Sequence, residues 1–222
     1  MKIKIKWFAC VLFSLFAMHT NAQGDQDAYI EVITKRSDKI IATLGIEDSS
    51  DYSRILGLLV DQYAIINAHH EERELNIRKL KDRYSDQKEK LAKKRTKYEA
   101  QADKKLRKMH HVFINELQDL LNHKQLEGIK DGMTYGVLPL TYRAYQDMIP
   151  SLTPEQKSII LTNLTEAREL AMDEPGSREK HGVFGKYKGR INNYLSSEGY
   201  DLQSERFRWE QRQAEAKTGG AK

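Results

Sequence analysis

The sequence predicts an all-α protein, a helical bundle with a long protruding antiparallel helical hairpin that forms a coiled-coil-like arm. Three observations carry this. No segment shows the alternating β-branched pattern of strands. The four prolines all fall at or after residue 139. Between Asp51 and Asn122 only Gly57 interrupts an unbroken helical pattern.

The chain opens with three lysines in six residues, an apolar run from Trp7 to Met18, and Thr20-Asn21-Ala22. This is the pattern of a secretory signal over residues 1–22, with an apolar run shorter than the roughly 20 residues of a membrane span. Cleavage after Ala22 leaves a secreted or periplasmic protein without a transmembrane segment. Cys10, the single cysteine, comes too early for a lipid anchor. The remaining chain is expected to be one helical domain over 23–216 with a disordered tail at 217–222, lacking disulfides and thiol chemistry. Removing the three lysines of the leader from a formal charge of +5 leaves +2, which argues against nucleic acid as a partner. The charge is uneven, because residues 71–108 hold 15 basic and 8 acidic side chains.

A first helix is expected over 27–44, stopped by Gly45, with Ile30, Ile33, Ile40, Ile41 and Leu44 facing a core and a slip in the stripe near Ser37. Ser50 or Asp51 is the expected N-cap of the second helix. Ile77, Tyr84, Leu91 and Tyr98 stand seven apart, a narrow coiled-coil seam. One straight helix over 51–122 would extend about 100 Å, so two antiparallel helices turning between Ser85 and Lys94 are favoured over a continuous rod. Gly128, Gly132 and Gly136 mark a loop around KDGMTYG, and Pro139 suits the first turn of a short helix. Thr153-Pro154-Glu155-Gln156 is a capping box with proline at the first helical position. The helix it opens has Ile159, Ile160, Leu164, Ala167 and Leu170 as its expected core face. Residues 177–200 divide into a core stripe (Phe184, Tyr187, Ile191, Tyr194, Leu195), a bare strip (Gly182, Gly185, Gly189) and a polar edge.

His69-His70 and His110-His111 would face each other if the arm folded near Glu89. Adjacent helical residues point about 100° apart, so each pair offers one ligand, and exposed polar residues are the plainer reading. No metal or other cofactor is expected. Glu166, Glu169, Asp173 and Glu174 read as a solvated face. No nucleophile motif or phosphate loop is present.

Two stretches, KDGMTYGVLPLTYRAYQDMIPSLTPEQK (130–157) and EKHGVFGKYKGRINNYLSSEGYD (179–201), resemble a family of secreted Bacteroidota proteins whose domain has no established function and is described as sugar-binding. The resemblance covers most of the chain after the leader. It implies export and a glycan role beside polysaccharide-degrading enzymes, and it supplies no catalytic residues. Leu152-Thr153-Pro154-Glu155-Gln156 also resembles a signature of small helical periplasmic chaperones, a match that the capping box alone explains.

The expected function is therefore non-catalytic binding of oligosaccharide, acidic glycans included. Six of the eleven tyrosines fall within 135–200, and tyrosine joins an apolar face to a polar tip. The candidate surface comprises Lys130, Asp131, Tyr135 and Tyr142 together with His181, Lys188, Asn192 and Asn193. Two rivals are a chaperone or scaffold gripping a protein partner through the arm, and an enzyme acting on cell-wall polysaccharide fragments.

Overall fold

Helix follows helix wherever an apolar stripe recurs every three to four residues, and the computed structural model describes residues 26–219, with side chains over 26–216. The expected leader lies outside the described residues. The helices are α1 (26–41), α2 (Ser49–Arg83), α3 (Lys88–Gln118), α4 (His123–Met133), α5 (Val137–Met148), α6 (Pro154–Met172), α7 (Ser177–Ser197) and α8 (Leu202–Gly219). No strand occurs among the described residues, and none of these helices is long and apolar enough to cross a membrane. The described residues divide into two compact units, with the boundary between Ile65 and Ile66. Residues 217–219 of the expected tail continue α8.

In the first unit, Ile33, Ile40 and Ile41 of α1 and Ile55, Leu59 and Tyr63 of α2 are buried. Ser37, at the slip in the stripe, is fully buried with them. The Tyr29 hydroxyl donates to the Tyr63 carbonyl at 3.1 Å. The N-cap of α2 is Asp48 rather than Ser50 or Asp51, since its carboxylate accepts from the amides of both at 2.8 and 3.0 Å. The residue outside the helix has the geometry to reach those orphan donors.

In the second unit, the rest of α2 turns at Tyr84–Gln87 into α3, forming the antiparallel hairpin. Lys105 pairs with Glu72 at 2.9 Å, and the Asn76 amide donates to the Tyr98 hydroxyl at 3.0 Å. Ile77, Leu80, Tyr84, Leu91 and Tyr98 are half-buried in the seam, leaving Leu75 exposed beside it.

The expected loop around KDGMTYG (130–136) is helical through Met133, as the end of α4. Leu126, Ile129 and Met133 are buried at helical spacing, which outweighs the roughly 1 kcal/mol penalty of each glycine. A second capping box starts it, with Asn122 accepting from the Gln125 amide and Gln125 accepting from the Asn122 amide. Tyr135 (φ 59°) and Gly136 (φ 66°) then make a left-handed turn into α5. The Thr153 capping box and Pro154 open α6 as the sequence predicts.

α6 is the central element, packed against α4, α5 and α7. Its buried stripe is Ile160, Leu164, Ala167 and Ala171, whereas Ile159 and Leu170 of the expected core face are 37% and 48% exposed. The stripe is rotated because α7 approaches along the alanines, where short side chains permit close contact. Phe184, Tyr187, Ile191 and Leu195 of α7 complete the same cluster.

Candidate functional site

α5 and α7 run in the same direction and are joined through side chains at two levels. At the first, the rings of Tyr135 and His181 stack with centroids 5.8 Å apart and planes 18° from parallel. At the second, the Tyr145 hydroxyl donates to Asn192 Oδ1 at 2.7 Å. Tyr145 is buried, and burial pushes its hydroxyl up to about 12, so it remains a donor across the ordinary pH range. That bond fixes the exposed Asn192 amide with its NH2 group left to donate outward.

On α7, His181, Gly185, Lys188 and Asn192 lie four, three and four residues apart, one ridge about 16 Å long. All four are exposed. A Cβ placed at Gly182, Gly185 or Gly189 would meet nothing within 4 Å, so the bare strip is open rather than filled by a neighbouring helix.

The Asn192 end of the ridge opens into a trough of about 570 Å³ between α5, α7 and α8. Leu140, Ala144, Met148 and Leu202 supply its apolar surface, and Lys188, Asn192, Gln203 and Arg206 its polar rim. Trp209 closes one wall, and its indole nitrogen is buried without a hydrogen-bond partner. α8 is held in place where Arg212 donates to the carbonyls of Asp147 and Met148 at 2.8 and 3.1 Å, the C-terminal end of α5. Gln203, Arg206 and Trp209 lie outside the surface expected from the sequence. The spacing of Leu202, Arg206 and Trp209 (four, then three) was the available signal, since it places all three on one helix face.

Lys130 and Asp131 belong to a different assembly. Because Gly128–Met133 is helical, both turn toward α6, where Arg168 is only 2% exposed. The Arg168 guanidinium donates to Asp131 Oδ1 at 2.8 Å and to Glu127 Oε2 at 2.6 Å, and Lys130 Nζ donates to Glu169 Oε1 at 3.1 Å. His110 completes the cluster, 3.0 Å from Asp173 and 3.4 Å from Glu169. Hydrogen bonds to Asp173 and Glu169 raise it to about 9 against burial. Burial works to raise Glu169, but His110, Lys130 and Arg168 overcome it and hold the carboxyl at about 2. Glu169 and Asp173 are thus not on a solvated face.

The histidines are also placed otherwise than expected. The earlier turn shifts the hairpin register, so His70 meets the Asp173 carbonyl at 2.8 Å while His110 holds its carboxylate. His69 is buried, and burial, with His70 and Lys105, lowers it. No group of three or more His, Cys, Asp or Glu is placed to hold a metal ion among the described residues.

The eight candidates therefore separate. Lys188 and Asn192 line the trough, Tyr135 and His181 form the stack, and Lys130 and Asp131 sit in the ion cluster. Tyr142 is half-buried against the core, and Asn193 is exposed on α7. No curated protein matches the chain. A family model does match, over residues 30–214, and by that match the chain belongs to the family described as Protein of unknown function (DUF3826).

Proposed function

We propose that this is an exported, non-catalytic carbohydrate-binding protein that holds an oligosaccharide in the α5–α7–α8 trough and along the His181–Asn192 ridge. The supporting observation is the pairing of an apolar surface with hydrogen-bonding groups whose orientation is set beforehand. A sugar ring presents an apolar face and a rim of hydroxyls. Met148, Leu202 and the Trp209 ring offer the matching apolar surface, and Lys188, Asn192, Gln203 and Arg206 offer donors and acceptors around it. The Tyr145–Asn192 bond removes rotamer freedom from the amide before any ligand arrives. The exposed Tyr135–His181 stack provides an aromatic surface at the far end of the ridge. The secretory pattern of residues 1–22 and the resemblance of 130–157 and 179–201 to secreted proteins described as sugar-binding support the same reading.

Calorimetry on protein lacking residues 1–22, against neutral and acidic plant cell-wall oligosaccharides, tests it. Binding is expected to weaken by about tenfold or more in Asn192→Ala and Trp209→Ala, each of which removes a main contact. Absence of heat across the panel, or binding indifferent to both substitutions, overturns the reading.

A further inference from the structure

Far from the trough along the chain, the hairpin carries a second groove of about 480 Å³, walled by α2 on one side and α3 on the other. Asn76, Lys79, Leu80 and Arg83 face it from α2; Lys94, Lys97, Tyr98 and Gln101 face it from α3. Both sets follow helical three-and-four spacing, so two cations follow one another on each wall, about 6 Å apart along α2 and about 4.5 Å apart along α3. Lys79, Arg83, Lys94 and Lys97 are exposed, and none makes an ion pair or hydrogen bond among the described residues. Elsewhere on the arm Arg73 and Arg95 share Glu99, and Lys105 holds Glu72. Four of the arm's remaining cations thus line one concave strip.

We propose that this groove binds an acidic polysaccharide, a single chain carrying a carboxylate or sulfate at regular intervals. The site uses none of the trough residues and does not depend on the trough reading. Cations on two facing walls complement a chain lying between them, whereas a flat bilayer would meet one wall at a time. A membrane-docking tip also needs an apolar anchor. The turn offers Ser85, Asp86 and Gln87, flanked by the acids Asp82 and Glu89. Single-stranded nucleic acid is bound through exposed aromatic platforms. Tyr98, the aromatic lining the groove, is half-buried in the seam and hydrogen-bonded to Asn76. That bond also fixes the spacing of the two walls, leaving the Gln101 amide to meet hydroxyls between the charges.

The test is binding of polygalacturonate and of a sulfated polysaccharide to protein lacking residues 1–22, at low salt and at about 0.3 M, where exposed charges are largely screened. Four arms accompany it: the Lys94→Gln/Lys97→Gln double variant, Asn192→Ala, vesicles rich in phosphatidylglycerol, and single-stranded DNA. The expected result is salt-sensitive binding of the acidic chains, weakened about fivefold or more in the double variant, with the salt-sensitive component persisting in Asn192→Ala, where the trough contact is removed. Glutamine preserves the helix, and circular dichroism confirms the fold. Failure to bind either acidic chain, binding unchanged in the double variant, or equal affinity for vesicles or DNA overturns the proposal. Loss of neutral oligosaccharide binding in Asn192→Ala alone reports on the trough and leaves the groove result separate.

Discussion

His110 Nδ1 lies 3.0 Å from Asp173 Oδ1, and its other ring nitrogen lies 3.4 Å from Glu169 Oε2. The imidazole of α3 is thereby clamped between two carboxylates near the end of α6, while His70 of α2 holds the Asp173 carbonyl. Asp173 ties both helices of the hairpin to the end of α6. An imidazolium between two carboxylates is favoured only while it is charged.

Stability should therefore follow a defined pH profile. His110 is raised from 6.5 to about 9, so its contribution is complete below pH 6.5 and is lost as pH rises through about 9. Glu169 is depressed from 4.5 to about 2, so its contribution is complete above pH 4.5 and is lost as pH falls toward 2. Urea midpoints of the parent should be flat between these limits and decline on both sides. In His110→Gln the alkaline decline attributable to this group disappears, with about 1–3 kcal/mol lost near neutrality. An unchanged alkaline limb in that variant would show that the clamp does not govern it.

Lys180 is 1% exposed, and its ammonium donates to the carbonyls of Ala171 and Met172, both at 2.9 Å. These are orphan acceptors at the end of α6, and a cation there also complements the helix dipole. Lys180→Met keeps the buried stem and removes the donors, so it should lower stability by about 1–3 kcal/mol. Lys180→Ala should lower it further through the cavity left behind. Denaturant titration of both variants checks the order. A Met variant as stable as the parent would mean that other donors serve those carbonyls.

Lys180 also shows where the sequence was readable and where it was not. The core stripe of α7 was legible because Phe184, Tyr187, Ile191 and Leu195 repeat at helical spacing, and the α6 start because Thr153-Pro154-Glu155-Gln156 is self-contained. The hairpin was legible because one helix over 51–122 would be too long for the domain, its turn only to within a few residues. A lysine near the start of an amphipathic helix reads as solvated, and nothing local indicates that α6 ends beside it. The same holds for Arg168 and Glu169, whose partners lie on α3 and α4 about 40 to 60 residues away. In α4 the glycines at 128 and 132 imitate loop punctuation and mask the helical spacing of Leu126, Ile129 and Met133. In the candidate site, the α7 ridge was visible in advance, but the trough needs α8, whose placement depends on long-range contacts.

Tyr135 combines a left-handed backbone (φ 59°) with 42% exposure and a ring stacked on His181. Left-handed backbone disfavours a side chain by about 1–2 kcal/mol. Glycine would relieve this and lose the stack, so Tyr135→Gly should melt no lower than the parent. Oligosaccharide affinity should nevertheless fall, because the aromatic surface is gone. Strain retained at an exposed aromatic residue is intelligible where binding uses the ring. A Tyr135→Gly variant that is clearly destabilised and binds normally would contradict this.

Gly185 and Gly189 stand on the exposed side of α7 with nothing within 4 Å of an added Cβ. If packing required these glycines, Ala substitution would meet a neighbour and destabilise the helix. With open space at both positions, Gly185→Ala and Gly189→Ala should instead each raise stability by about 0.5–1 kcal/mol, the ordinary helical preference for alanine. The pair lies within one turn, so additivity should be checked in the double variant. A bulkier Gly185→Leu should fold as well and obstruct the ridge between His181 and Lys188. Thermal melts and calorimetry on the same samples separate the two quantities. Stability rising while oligosaccharide binding falls would show that the bare strip is kept for a ligand. Destabilisation by alanine would show that backbone packing, and not access, explains the glycines.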